Sequence, residues 1–451
     1  MEPQHLIFDS ILCEDEEGEL EGDLADKWEH SPDFRSWIVH IHQDARWHDG
    51  KPVTSDDIEF TMNLMSNPNS DILKPDDFSF SVIDEKTFQI AFRHKSAYTP
   101  FDTWNVYYPK HLLEGLDKKN YGTWDFWTHP LGSGPYRYVR HIPQTMVELE
   151  ANSAYHKGVP RLKRIILKFS GSIITELLSG NAHIAQYLTE MDRLKLEKNP
   201  RFNIYHELGT THKVIFWNQN HPKFQESSVR KALSHAIDRK ELYKMLDLPD
   251  DIPIFDGPFT WRQYARRDLS KPLDYDLERS KTLLNEAGWR DVDGILERDN
   301  EKFFFTLLTT KTNEPDAIFV QDQLRRIGID VEIQVLDFNL VRQRQEAGNF
   351  EALLISMGSV SAQRMLGVKS PMGYSNVQLE ELYNARWKAW APDLIEDINR
   401  KIWDIFRNDV PVTFLSPRVL THVAHRQIQG LSSMTQANPI MNIMNLWIDE
   451  N

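Results

Sequence analysis

GELEGDLADKWEHSPDFRSWIVHIHQDARWHDGKPVTSDDIEF, residues 18–60, carries the densest structural instruction in the chain. Trp37, Val39 and Ile41 alternate with Ile38, His40 and His42, which is the two-residue period of a half-buried strand. Asp49-Gly50 predicts a tight turn, because glycine accepts the positive φ that a reversal needs. Thr54, followed three residues later by Asp57, predicts a capping box with Asp in place of the usual Glu or Gln. Ile58, Thr61, Met62 and Met65 then recur at helical spacing. The stretch therefore reads as strand, strand, turn, helix.

The same residues form a long motif. An acidic Gly-x-Leu (Gly18, Leu20) precedes Leu24-Ala25-x-x-Trp28-Glu29, and His48-Asp49-Gly50-x-Pro52-x-Thr54-x-Asp56-Asp57 follows. This pattern resembles the signature of the ABC-transporter solute-binding proteins of dipeptide, oligopeptide and nickel type, family 5. The residues are structural in kind, so they point to a fold and leave the ligand open.

Upstream, His5 to Cys13 is a short apolar segment of helical appearance, and Met1 to His5 shows neither the basic nor the apolar region of an export signal. Downstream, strands are predicted at Phe78 to Ile83 and Thr87 to Phe92 around a turn at Asp84-Glu85-Lys86. Pro130-Leu131-Gly132-Ser133-Gly134-Pro135-Tyr136 reads as a crossing point between domains, where glycine supplies conformations closed to other residues. A phosphate cradle is disfavoured there, since Pro135 removes an amide donor and no helix follows.

Arg164 to Phe169, Ser172 to Leu178 and His183 to Tyr187 read as strand, helix and strand, a βαβ-like unit of parallel sheet. Lys213 to Asn218 is a further strand. Ser227 or Ser228 is the expected cap of a helix striped by Val229, Ala232, Leu233, Ala236 and Ile237. Asp276 to Ala287 is a helix closed by Gly288. Phe303 to Thr309, Asp316 to Ile327 and Val331 to Leu336 give a second βαβ unit. The resemblance continues through these segments to a last strand at Trp447.

Composition narrows the function. At 451 residues the chain exceeds one hydrophobic core. A net charge of −15 with no concentrated Lys/Arg block disfavours nucleic acid. Cys13 is the only cysteine, which excludes an internal disulfide and a thiolate metal cluster and reads as a small buried residue. No apolar run approaches a membrane span.

No GxSxG nucleophile elbow occurs, and adjacent carboxylates such as Asp56-Asp57 face different ways, so no catalytic set is expected. His40 and His42 share one strand face with His48 nearby. A zinc hydrolase using His40 and His42 is the enzyme alternative, although no HExxH is present. No metal and no cofactor is assigned.

The resemblance implies an α/β, two-lobed periplasmic-binding-protein-like (type II) fold with an additional subdomain and a hinged cleft. It places lobe I at 1–12, 134–217 and 426–451, the subdomain at 13–133 and lobe II at 218–425. It implies a receptor, expected as a periplasmic or extracellular monomer, that captures a peptide-like solute between the lobes and delivers it to an ABC permease. A cytosolic ligand sensor reusing the fold, an oligosaccharide binder and a metal-chelate binder stay open. By position in the family pattern, the candidate ligand contacts are Phe8, Trp104, Tyr107, Trp217, Asn218, Met357 and Tyr374.

The family's peptide binders carry an acid in the second lobe for the ligand's ammonium. Here Leu353 to Ser361 lacks one, and no Asp or Glu occurs between Glu351 and Glu380. Asp9 is the acid that could substitute. Gly373-Tyr374-Ser375-Asn376 again matches the family pattern.

Overall fold

A computed structural model describes residues 4–14, 20–66, 74–93, 106–169, 171–188, 190–248, 252, 254, 256–258, 272–358, 370–431 and 443–449. Two compact units divide the chain, Met1–Glu207 with Leu420–Asn451, and Leu208–Val419. Both boundaries fall inside long strands, Phe202–Trp217 and Val412–His425.

Unit 1 contains the opening motif as predicted. Ser36–Ile41 pairs antiparallel with Ala25–His30 and with Thr87–Phe92, which also pairs with Phe78–Asp84. Trp37, Val39 and Ile41 are buried while the residues between them are half exposed, which is the expected period. Gly50 has φ +89°, and the helix Ser55–Met65 starts with Thr54 at its N-cap. Lys86 fastens the hairpin tip to the turn, its ammonium donating to the carbonyls of His42, Ala45 and Val53.

Three expectations need correction in this unit. The helix at the chain start is only Gln4–Ile7, and Cys13 lies in a strand opposite Glu21. Gly132 and Gly134 do not have positive φ. Their lack of a side chain serves close approach instead, because a Cβ on Gly132 would sit 1.8 Å from the Ile7 carbonyl oxygen. The segment joins two sheets of unit 1 by packing on residue 7. Finally, Arg164–Lys168 belongs to an antiparallel sheet with Met146–Ala151 and Tyr136–Ile142, whereas Ile184–Ala185 pairs antiparallel with Val412–His425. These elements form no parallel βαβ unit.

Unit 2 is a doubly wound α/β layer. Phe304–Thr310 runs parallel to both Asp330–Leu336 and Ala352–Gly358, and the latter pairs antiparallel with Thr211 to Trp217. Alternate side chains enter two cores. Ile215, Trp217, Phe305 and Leu307 pack under the helices Ser227–His235, Leu277–Glu286 and Glu314–Arg325. Val214, Phe216, Leu308 and Leu353 pack under Phe338–Glu346, Val377–Lys388 and Pro392–Asp409. Gly288, at positive φ, closes its helix as the sequence predicts, and Gly328, also at positive φ, does the same after Glu314–Arg325. The helix expected to be capped by Ser227 or Ser228 begins at Ser227, with Glu226 at the N-cap.

Candidate functional site

In an open α/β sheet the carboxyl ends of parallel strands are where ligands are received, because loops and helix N-termini gather there. In unit 2 this edge is formed by Thr310, Leu336 and Gly358, with Thr211 opposite Gly358 and His212 opposite Met357. Two buried polar atoms without a hydrogen-bond partner among the described residues lie here, Thr211 Oγ1 and Asp316 Oδ1. Such groups are costly in a folded interior unless something else satisfies them. Lys213 Nζ lies 2.6 Å from Asp316 Oδ2, and Asp316 is fully buried at the start of the helix Glu314–Arg325. Burial pushes the Asp316 carboxyl above its ordinary range, with the Lys213 charge and hydrogen bond acting against that shift.

On unit 1, the same two long strands carry a second polar group. His422 Nε2 donates to Glu207 Oε2 at 2.9 Å, and both side chains are buried. Tyr187 lies beside the His422 ring at 5.3 Å, half exposed and at φ +57°, a conformation uncommon for a non-glycine residue.

The third polar group, at the chain start, contains Asp9. Its Oδ1 accepts from the Tyr155 hydroxyl at 3.0 Å, and its Oδ2 is buried without a partner among the described residues. Burial, then the nearby Asp23 charge, push its carboxyl well above the carboxylate range. Asp23 in turn holds Lys157 at 3.0 Å and the Ser10 amide at 2.8 Å. The acid proposed to substitute is thus enclosed among protein groups.

The sequence-predicted contacts fall in several places. Phe8 and Tyr107 are buried in unit 1, linked through Asp9, whose carbonyl accepts from the Tyr107 amide. Trp217 is wholly buried, its indole donating to Thr413 Oγ1. Asn218 donates to the carbonyls of Gly348 and Phe350. Tyr374 and Met357 share the second core of unit 2, with the Tyr374 hydroxyl on Asp409. Trp104, and Ser359 to Ser361 of the acid-free segment, lie outside the described residues.

The three histidines behind the zinc alternative have separate roles. His40 Nδ1 meets Thr87, and His42 Nδ1 accepts from the Asp44 amide. His48 accepts from the Gly132 amide through Nδ1 and so donates from Nε2 to the Gly134 carbonyl. Burial drives its pKa down to about 4. Both His48 nitrogens are therefore occupied by backbone.

The pairs Lys213–Asp316 and Glu207–His422 were not foreseen. Their partners are 103 and 215 residues apart, and no local spacing signals such contacts.

Comparison with known proteins accords with this architecture. The model of the bacterial extracellular solute-binding proteins, family 5 Middle, matches residues 19–370. The oligopeptide-binding protein AppA of Bacillus subtilis is 26% identical over 372 residues, covering 79% of this chain and 68% of that protein. The glutathione-binding protein GsiB of Pectobacterium atrosepticum is 26% identical over 465 residues, covering 95% and 86%. Among solved structures, the substrate-binding protein CtaP of Listeria monocytogenes superposes with a TM-score of 0.82 at 21% identity, covering 99% of this chain and 93% of that one. NikZ of Campylobacter jejuni, in complex with Ni(L-His), gives 0.73 at 21% identity, covering 98% and 94%. The match spans far more than half of the sequence and includes the opening motif, so this chain belongs to the family 5 extracellular solute-binding proteins.

Proposed function

We propose that this chain captures a peptide-like solute outside the cytoplasmic membrane and delivers it to an ABC permease, without catalysing a reaction. The observation that carries the reading is the family match, together with the buried polar atoms left without partners at the carboxyl edge of the unit 2 sheet. Peptide-like solutes are favoured because two similar proteins are named for binding oligopeptides and glutathione. Met357 lies next to that edge opposite His212, with its side chain buried in the second core of unit 2. Phe8, Tyr107, Trp217, Asn218 and Tyr374 support their respective units from within. Residues 13–133 form a subdomain of unit 1, supported by the four-stranded sheet they contain.

No helix among the described residues is long and apolar enough to cross a membrane.

Thermal unfolding against a panel of tetrapeptides, maltotetraose and nickel–histidine tests the reading. A solute that binds only the folded chain raises the midpoint as its concentration rises. A concentration-dependent rise with peptides is the expected result. A rise with maltotetraose or nickel–histidine alone would replace the peptide assignment, and no rise with any member would reject the receptor reading.

A further inference from the structure

Lys213 occupies an unusual position. It lies on the strand Phe202–Trp217, with Ile215 and Trp217 following on the same face, and that face packs under the helix Glu314–Arg325. An apolar residue would suit that position. Instead, the lysine extends to the helix start and places Nζ 2.6 Å from Asp316 Oδ2. Asp316 is sealed off at 0% exposure, whereas the Lys213 side chain retains 18%. The carboxylate is thus the inner member of the pair, and the ammonium is the member that reaches solvent.

An ammonium carries three donors. Among the described residues Asp316 takes one, so two remain for a group arriving at the sheet edge. Thr211 lies two residues back on the same face, and its Oγ1 is buried with no partner among the described residues. A cation with spare donors, a hydroxyl in need of a partner and a buried anion behind them make a receptor for a negatively charged oxygen. A solute ammonium fits badly, since Lys213 repels it and the Asp316 carboxylate is already engaged.

We propose that Lys213 receives a carboxylate of the bound solute, with Asp316 as the residue that positions it and Thr211 as a second donor. This assignment rests on the receptor reading above and adds a solute class to it, namely solutes carrying a free carboxylate. A buried carboxylate that orients a lysine fixes where the positive charge sits, and a charge-assisted contact made there is stronger than a neutral one.

The test uses the full chain and three probes, tetra-alanine, its C-terminal amide and its N-acetyl derivative, with affinities read by calorimetric titration. Tetra-alanine and N-acetyl-tetra-alanine are expected to bind alike, and the amide at least about tenfold more weakly, the loss expected for one charge-assisted hydrogen bond. Lys213→Met is expected to remove the difference between acid and amide, and Lys213→Arg to retain it. The comparison of the three probes on the unsubstituted chain stands even where a variant fails to fold. The proposal is overturned by equal binding of acid and amide, by loss of binding on N-acetylation, or by a Lys213→Met protein that still prefers the acid. It is also overturned if none of the three binds. In that case, binding of maltotetraose or nickel–histidine would leave the receptor reading standing, so the two failures are distinguishable.

Discussion

Asp57 concentrates four donors on one buried carboxylate: the Thr54 amide and hydroxyl, the Trp47 indole and the Lys110 amide. Asp57→Ala leaves several of these without an acceptor in the interior. A loss of about 3 kcal/mol or more is expected, from the usual cost of orphaning buried donors, and urea unfolding will measure it. Asp9 and His48 give the fold opposite pH responses. The Asp9 carboxyl is raised above its unfolded value, so its contribution is full below about pH 4 and is lost as pH climbs through the folded value. His48 is lowered from 6.5 to about 4, so its contribution is full above 6.5 and is lost as pH falls toward 4. Melting temperatures across pH 4–8 should show Asp9→Asn losing less stability than the parent on the alkaline side. A parallel pair of curves would refute the Asp9 assignment. At this scale the Thr54–Asp57 box and the Gly50 turn were legible in advance, because both are local. The occupation of His48 was not, because its partners Gly132 and Gly134 lie more than eighty residues away.

At the level of elements, the predictions succeeded where period and punctuation agreed and failed where topology decided. Phe304–Thr310, Glu314–Arg325 and Asp330–Leu336 form the parallel unit that their apolar pattern predicts. The strand–helix–strand series from Arg164 has a similar pattern, yet its two strands join different sheets. Local sequence specifies a strand without naming its neighbour. The Gly132–Gly134 connector was recognised as special, but for conformational freedom rather than for contact with Ile7. Gly132→Ala forces a methyl into the Ile7 carbonyl and is expected to cost about 3 kcal/mol, the upper range for overpacking. Gly122, with open space around it, is the control: its alanine variant should unfold at nearly the parent's urea concentration. Equal midpoints for the two variants would refute the close-contact explanation.

For the whole molecule, a motif of some forty residues near the start was enough to anticipate the family, and the matched region extends to residue 370. The candidate site was far less legible. The positions carried over from the family pattern are buried in their own units wherever they are described, whereas Lys213 and Asp316 come together only when strand and helix pack. Capture of a peptide-like solute is the claim on which the functional account depends. Calorimetric titration of the folded chain with tetra-alanine tests it most directly. The account predicts saturable one-to-one binding with a negative heat-capacity change, the mark of apolar surface removed from water. Absence of saturable heat with the peptide, from a sample that unfolds cooperatively, would contradict it.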